Sequence, residues 1–181
     1  MNPVLQFIDP AADRWTAAPA DEAAPAPAAQ RLLTLAQWLA VRDTWPADLP
    51  VGVTLSNDAD VEDLVDELPR LALVALQFPK WVDGRAYSQA RLLRARYRFR
   101  GEIRATGDVV VDMAPLLHRT GFDAVVLRAG QRVESAQRAL GFFGAGREGG
   151  LGHYQGDVLE PRPRFSRVAP AATARPTPEV A

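Results

Sequence analysis

Short apolar runs alternate with helix-like stretches along the middle of this chain, and this alternation restricts the fold more than any other feature. Two of the runs, Val51–Leu55 and Leu71–Phe78, have the length and composition of buried strands. Between them, Val61, Leu64 and Leu68 recur at the spacing of one helical face. Strands that are separated by helices pair in parallel through right-handed crossovers. The sequence therefore predicts an α/β fold of successive βα units with a mainly parallel sheet.

The same patterns predict the remaining elements. Further strands are expected over residues 4–8, 101–106 and 122–127, and helices over residues 32–45, 88–97, about 116–120 and 133–143. Asp58 or Asp60, Ser88 and Asp112 are expected to cap the helices that follow them. The central units are too few for an eight-unit barrel of about 250 residues. An open sheet and a shortened, barrel-like sheet both remain as architectures.

The 181 residues fit one domain with extended ends. Residues 1–30 are expected to form an N-terminal strand and an Ala/Pro-rich linker, since residues 10–30 show no apolar periodicity. Residues 31–165 are expected to be a single α/β domain, and residues 166–181 a disordered, Pro-rich tail.

Composition excludes several classes of function. The net charge of -1 gives no general positive field for nucleic acid or an anionic membrane. The absence of cysteine excludes disulfides, thiolate metal sites and cysteine nucleophiles in this chain. No apolar run approaches the roughly 20 residues that span a bilayer, and no signal peptide is visible. A cytoplasmic protein that binds neither nucleic acid nor membrane is expected.

A polar cluster directly after the run Leu71–Phe78 is the leading candidate site. It contains Lys80, the only lysine of the chain, with Asp83 and Arg85 close by. Because the carboxyl ends of parallel strands share one edge of a sheet, Asp108, after the next strand, is expected at the same edge.

The residue types at this edge suit anion recognition or acid–base chemistry. Lys80, Asp83 and Asp108 are the candidate catalytic residues: the lysine would supply charge or a proton, and an aspartate would act as base or orienter. The candidate substrate-binding residues are Arg85, which can grip an oxyanion bidentately, with Tyr87, Ser88 and Arg104. A structural alternative remains open, in which Asp83-Gly84 forms a turn, Arg85 pairs with Asp83, and Ser88 and Asp108 are caps.

Other features carry weaker signals. Arg91, Arg94 and Arg98 are expected to share a basic helix face, which favours a solvated surface over a docking site. The two histidines, His118 and His153, have no ligand spacing, and the glycines of residues 141–152 follow a helix and form no nucleotide fingerprint. No metal site is predicted, and the residues do not identify a cofactor.

A longer set of motifs resembles a known family. Its parts are Phe78-Pro79-Lys80, Asp83-Gly84-Arg85, the stretch from Tyr87 to Arg94, Gly101-Glu102, Arg104-Ala105, Gly107-Asp108-Val109 and the stretch from Gly121 to Ala124. Over about residues 30 to 165 they resemble a proteobacterial family of unknown function whose members are described as oxidoreductases of sulfite reduction and are encoded beside assimilatory sulfite reductase. The resemblance implies a role in sulfate assimilation and cysteine synthesis. It implies no established activity, cofactor or catalytic residue set.

Three functions follow as hypotheses. The first is an accessory protein of assimilatory sulfite reduction with an anion-binding site at the carboxyl edge of the sheet, which binds a small oxyanion or docks on the reductase. The second is a small α/β enzyme that uses Lys80 in acid–base or Schiff-base chemistry. The third is a non-catalytic interaction module that binds an acidic partner through the arginine face. The oxidoreductase description rests on the resemblance alone, and a homodimer is supported by no residue pattern.

Overall fold

A computed structural model describes residues 5–143, with the side chains of residues 142 and 143 left out. Within these residues, seven strands form one sheet in the order β1-β7-β6-β5-β4-β3-β2, and every neighbouring pair is parallel. The sheet is curled into a half-barrel with helices between its strands, which confirms the α/β class and answers the question of architecture in favour of the barrel-like form.

The strands are β1 Gln6–Phe7, β2 Thr16–Ala17, β3 Arg31–Thr34, β4 Val51–Leu55, β5 Leu71–Phe78, β6 Glu102–Gly107 and β7 Ala124–Val125. The α-helices are α1 Leu35–Val41, α2 Arg85–Arg91, α3 Ala114–Thr120 and α4 Val133–Phe143. The described part of the chain also contains 3₁₀ helices at Pro10–Ala12, Val61–Arg70 and Val111–Met113, and a π-helical turn, Leu92–Arg96, extends α2.

The core lies between the helices and one face of the sheet. One row of aligned residues on that face runs Leu33, Val53, Val74 and Ile103 across four strands. All four side chains are fully buried, and Trp38 of α1 packs into the same core. Burial of such side chains is the main source of stability for a domain of this size.

Two strands were missing from the sequence interpretation. The helix expected from residue 32 is wrong at its start, since residues 31–34 form β3 and Leu33 pairs with Val53. A capping box then begins α1: the Thr34 hydroxyl accepts a hydrogen bond from the Gln37 amide, and the Gln37 side chain accepts one from the Thr34 amide. Residues 10–30, treated above as a linker, contribute β2, whose Thr16 pairs with Arg31.

The expected caps are only partly correct. Asp60 does cap its helix, which has the 3₁₀ form, by accepting a hydrogen bond from the Glu62 amide. Ser88 is no cap, because α2 already begins at Arg85 and places Ser88 inside the helix. Asp112 is no cap of α3 either, because it lies within the short 3₁₀ helix that leads into it.

Several expectations concern residues outside the described range. They are the N-terminal part of the first strand, the Gly-rich segment after α4, His153 and the tail of residues 166–181. Within residues 5–143, no helix is long and apolar enough to cross a membrane.

Candidate functional site

The carboxyl edge of the sheet is formed by the loops that follow β4, β5, β6 and β7. Phe78, the last residue of β5, pairs with Gly107, the last residue of β6. The loop of residues 79–84, called here the Lys80 loop, therefore lies beside Asp108, whose amide donates a hydrogen bond to the Phe78 carbonyl at 2.7 Å. The sequence expectation that these loops share one edge agrees with this register.

Gly107 allows the two strands to end together. Its φ of 94° lies in the left-handed region, and a Cβ there would stand 2.4 Å from the carbonyl oxygen of Phe78. Only glycine fits such a position without displacing backbone. The next residue, Asp108, is thereby directed at the Lys80 loop.

Asp83 is held by two neighbours. The guanidinium of Arg85 donates to both of its carboxylate oxygens, at 3.0 Å from Nε and 2.7 Å from Nη2. Asn57, from the loop after β4, donates its Nδ2 to Asp83 at 2.8 Å. These hydrogen bonds, chiefly those from Arg85, lower the pKa of Asp83 to about 2. The pairing of Arg85 with Asp83, left open above as the structural alternative, is confirmed.

Asp108 is held in the same way from the other side. Its Oδ2 accepts the backbone N–H of Trp81 at 3.0 Å, and its Oδ1 accepts Nη1 of Arg128 at 2.8 Å. The ion pair with Arg128, followed by the bond from Trp81, lowers the pKa of Asp108. Within the described residues, no hydrogen bond or ion pair links this pair to Asp83 and Arg85.

The Lys80 loop is thus bridged to both neighbouring loops. Asn57 reaches it from the β4 side and Asp108 from the β6 side. The loop also contains a turn, in which the Asp83 amide donates a hydrogen bond to the Lys80 carbonyl at 2.9 Å. Its conformation is therefore fixed by side-chain hydrogen bonds to two neighbouring loops and by its own backbone turn.

The constrained loop exposes its apolar and cationic side chains to solvent. Trp81 is 55% exposed and Val82 66% exposed, the two highest values among the large exposed apolar residues of the described range. Lys80 is exposed as well, and within residues 5–143 its ammonium makes no hydrogen bond or ion pair. Two apolar side chains and one unpaired cation therefore stand together at the tip.

Tyr87 and Ser88 lie on α2, just after the loop, in different surroundings. The ring of Tyr87 packs against Phe78 at 5.1 Å and Phe122 at 6.4 Å between centroids. Burial raises the pKa of Tyr87 to about 12, so its hydroxyl stays protonated at neutral pH. Ser88 is exposed on the helix surface.

Arg104 lies away from this edge, in the middle of β6. Its aligned neighbours on the face opposite the helices are Ala75 and Ala124, whose small side chains leave room for a guanidinium. It is 2% exposed and forms ion pairs with Asp13 at 2.6 Å and Glu102 at 2.7 Å. Arg104 therefore joins the N-terminal segment to the sheet and does not reach the Lys80 loop.

The expected basic helix face does not exist, because the α-helical spacing ends at Arg91, where the π-helical turn begins, and the three arginines separate. Arg94 turns inward, donates to the carbonyls of Phe99, Gly101 and Gly121, and forms an ion pair with Asp123. Arg98 lies beyond the π-helical turn at a φ of 54°.

Two residues of structural importance at this edge had no role in the sequence analysis. Gln89 is buried on α2 and donates to the carbonyls of Ser56 and Ala59, at 2.8 Å and 3.0 Å, which holds the loop after β4 against the helix. Trp81 is the second such residue. Its position between a proline and an Asp-Gly turn was the available signal for an exposed aromatic side chain.

The arrangement suits binding better than acid–base chemistry. Both aspartates are ionised, their oxygens are already engaged, and a general base works best with a pKa near the operating pH. Within residues 5–143, no cluster of three side chains could hold a metal ion. Within the Lys80 loop, the side chains that remain available to a ligand or partner are those of Lys80, Trp81 and Val82.

Comparison with known proteins gives a family without a function. The model of a bacterial protein family of unknown function, DUF934, matches residues 52–165, which include the Lys80 loop. No curated protein matches the chain.

Proposed function

The chain belongs to the bacterial protein family of unknown function DUF934, and we propose that it is an accessory protein of assimilatory sulfite reduction that docks on the reductase through its Lys80 loop. The docking part is supported by the exposed Trp81 and Val82 on a loop that two paired carboxylates hold in place. The pathway part is supported by the motif resemblance given above, and it needs its own test.

Exposed aromatic side chains are the residues that most often anchor protein interfaces. Tryptophan is enriched among the residues that carry most of the binding energy, because its large ring loses little conformational entropy when it is buried. Trp81 and its neighbour Val82 form one apolar tip. A loop that is already fixed before binding also avoids the cost of being ordered in the complex.

Lys80 defines the chemistry expected on the partner. Its ammonium has no anionic partner within the described residues, whereas Arg85 and Arg128 are both paired with aspartates. We therefore expect an apolar hollow for Trp81 on the reductase, with a carboxylate beside it that pairs with Lys80. Such a pair would contribute more to orientation and association rate than to affinity.

Binding of a small oxyanion is a second candidate function, favoured by the same free ammonium. Sulfite or sulfate could bind Lys80 together with N–H groups of Arg85, whose side chain is 58% exposed. Calorimetric titration of the wild type, Lys80→Ala and Arg85→Ala with each anion tests it. Weaker binding in both variants would support an anion site at Lys80 and Arg85, and equal heats of binding from all three proteins would refute it.

The enzymatic alternative has less support. A Schiff-base lysine is usually activated by an apolar pocket or by neighbouring cations. Lys80 is exposed, and the nearby Arg85 is paired with Asp83. Borohydride trapping of a carbonyl compound on Lys80 would revive this alternative.

Docking is tested with purified sulfite reductase from the same source, immobilised as the holoenzyme and titrated with this chain. We expect saturable binding that Trp81→Ala weakens by about thirtyfold, the effect of losing a central aromatic anchor. Leu39→Ala is the matched control, since Leu39 is also a large exposed apolar residue, at 42%, but lies on α1. Absence of binding, or equal losses from Trp81→Ala and Leu39→Ala, would refute the docking proposal.

The pathway is tested separately by deleting the gene. The accessory role predicts slow growth on sulfate and on sulfite as sole sulfur source, with normal growth on sulfide and on cysteine. Normal growth on sulfite would exclude a role in that reduction step, even if the Lys80 loop binds another protein.

A further inference from the structure

A cavity of about 290 Å³ lies at the amino edge of the sheet, the edge opposite the Lys80 loop. Leu71, the first residue of β5, and Gly101, which precedes β6, both line it. Its volume is close to the lower limit of pockets that hold small molecules, which is roughly 300 Å³. The cavity belongs to none of the contacts described for the carboxyl edge.

Two guanidinium groups of this cavity are available to a ligand. Arg98 and Arg100 both line it and are exposed, and within residues 5–143 neither forms an ion pair or a side-chain hydrogen bond. The carboxylate that contacts their neighbour Tyr97 is Glu62, which is already engaged by the Tyr97 hydroxyl at 2.5 Å and by Arg96 at 3.4 Å. Neither guanidinium is therefore held by a carboxylate within residues 5–143.

Arg98 occupies a backbone position that disfavours it. The amide of Phe99 donates to the carbonyl of Leu93 across the helix end at 2.9 Å, and Arg98 directly precedes it at a φ of 54°. Helices that end in this way usually place glycine at that residue, because a side chain costs conformational energy there. Backbone strain of this kind tends to persist where the side chain has a function.

The remaining wall of the cavity is largely apolar. Pro69, from the 3₁₀ helix before β5, and Leu71, from β5 itself, line it on one side, and Tyr97 lines it from the helix end. An apolar wall with a few convergent polar groups is the usual composition of a small-molecule site. The two arginines are of the type that binds phosphate or carboxylate bidentately.

We propose that this cavity binds a small organic anion, with a planar apolar body against Pro69, Leu71 and Tyr97 and a phosphate or carboxylate group on Arg98 and Arg100. The site is independent of the docking proposed for the opposite edge. Its ligand class is set by the combination of an apolar wall and two unpaired guanidinium groups.

Phenyl phosphate is a suitable probe. Its binding can be measured by NMR, from the chemical shifts of the backbone amides of the full chain. We expect saturable shifts confined to the amides of residues 68, 70, 71 and 97–101. Inorganic phosphate, which lacks the apolar body, and phenol, which lacks the charge, should each bind at least about tenfold more weakly. Absence of saturation, or shifts centred elsewhere, would overturn the proposal, and equal affinity for inorganic phosphate would overturn the apolar half of it.

Two variants separate a ligand role from a structural one. Arg98→Gly and Arg100→Ala should each weaken phenyl phosphate binding by about tenfold, whereas Arg14→Ala should leave it unchanged, because Arg14 is exposed and without an ion pair within residues 5–143 but does not line the cavity. Arg98→Gly should also raise the thermal midpoint by about 3 °C, because it relieves the strained φ. Unchanged binding in both arginine variants would show that these arginines do not serve a ligand, and a lower thermal midpoint for Arg98→Gly would refute the argument from backbone strain.

Discussion

Replacing Arg104 by methionine removes a buried cation from between two acids. Arg104 is 2% exposed and is paired with Asp13 and Glu102. Methionine keeps most of the side-chain volume, so the change in stability reports mainly the loss of charge and hydrogen bonds. The two carboxylates would remain on the covered face of the sheet without a partner.

The size of the effect follows from how buried the acids are. Removing one partner of a buried ion pair costs about 3–5 kcal/mol. Asp13 and Glu102 keep 19% and 21% of their side chains exposed, so water can partly rehydrate them. We expect a loss near the lower limit, about 3 kcal/mol of unfolding free energy. In a domain of this size, this corresponds to a thermal midpoint about 9 °C lower.

Urea titration followed by tryptophan fluorescence measures this loss. Trp15 is a suitable reporter, because it is buried two residues from Asp13. As a control, the triple variant Arg104→Met with Asp13→Asn and Glu102→Gln should recover most of the stability, since no unpaired charge is left. An Arg104→Met protein within about 1 kcal/mol of wild type would refute the structural role and return Arg104 to the candidates for ligand binding.

Three further predictions concern the backbone, a helix cap and pH. Gly107→Ala should lower the free energy of unfolding by about 3 kcal/mol, because its Cβ would stand 2.4 Å from the Phe78 carbonyl oxygen. The control is Gly130→Ala, which also has a positive φ, 80°, but nothing within 4 Å of the added Cβ, and it should cost only about 1 kcal/mol in the same urea titration. Equal losses in the two variants would contradict the steric account. Thr34→Ala should cost about 1 kcal/mol through loss of the capping box, and Thr34→Ser should retain most of it. The folded-state pKa of Asp83, about 2, lies below its unfolded value, so its ion pair should contribute stability above about pH 4 that is lost as the pH falls toward 2. In Asp83→Asn, the urea midpoint should therefore depend less on pH between about 4 and 2 than it does in the wild type. The same pH dependence in both proteins would count against the ion pair.

The elements of the fold that could be predicted are those whose amino-acid pattern matches the burial that they have in the structure. The bounds of β4 and β5 follow directly from the sequence, because both are apolar runs buried in the middle of the sheet; Pro50 directly precedes β4, and Pro79 directly follows β5. The start of α4 was predicted equally well. Short edge strands gave no such signal: β2 has two residues, and both are exposed.

The boundary between β3 and α1 was available in the sequence but was not used. Leu32 and Leu33 fit a helical spacing as well as a strand, and apolar periodicity cannot separate the two over so short a stretch. The pattern of Thr34 followed three residues later by Gln37 marks a helix start, and it would have placed Leu33 in the strand.

At the candidate site, sequence reasoning could predict the edge but not the pairings. Parallel strands bring Asp83 and Asp108 to the same edge whatever their partners are. Which cation each aspartate would meet depends on loop conformation, and so does the exposure of Lys80. Arg104 was misplaced for a related reason, since its acid partner Asp13 lies far away in sequence, in a segment without apolar periodicity.

The central claim is that the carboxylates of this edge hold the Lys80 loop in a preformed conformation. The most direct test is the NMR order parameter of the Trp81 amide, which donates to Asp108, in the wild type and in Asp108→Ala. We expect a value of about 0.8 in the wild type, as in rigid backbone, and below about 0.6 in the variant. A Trp81 amide that is equally mobile in both proteins, or equally rigid in both, would contradict the claim.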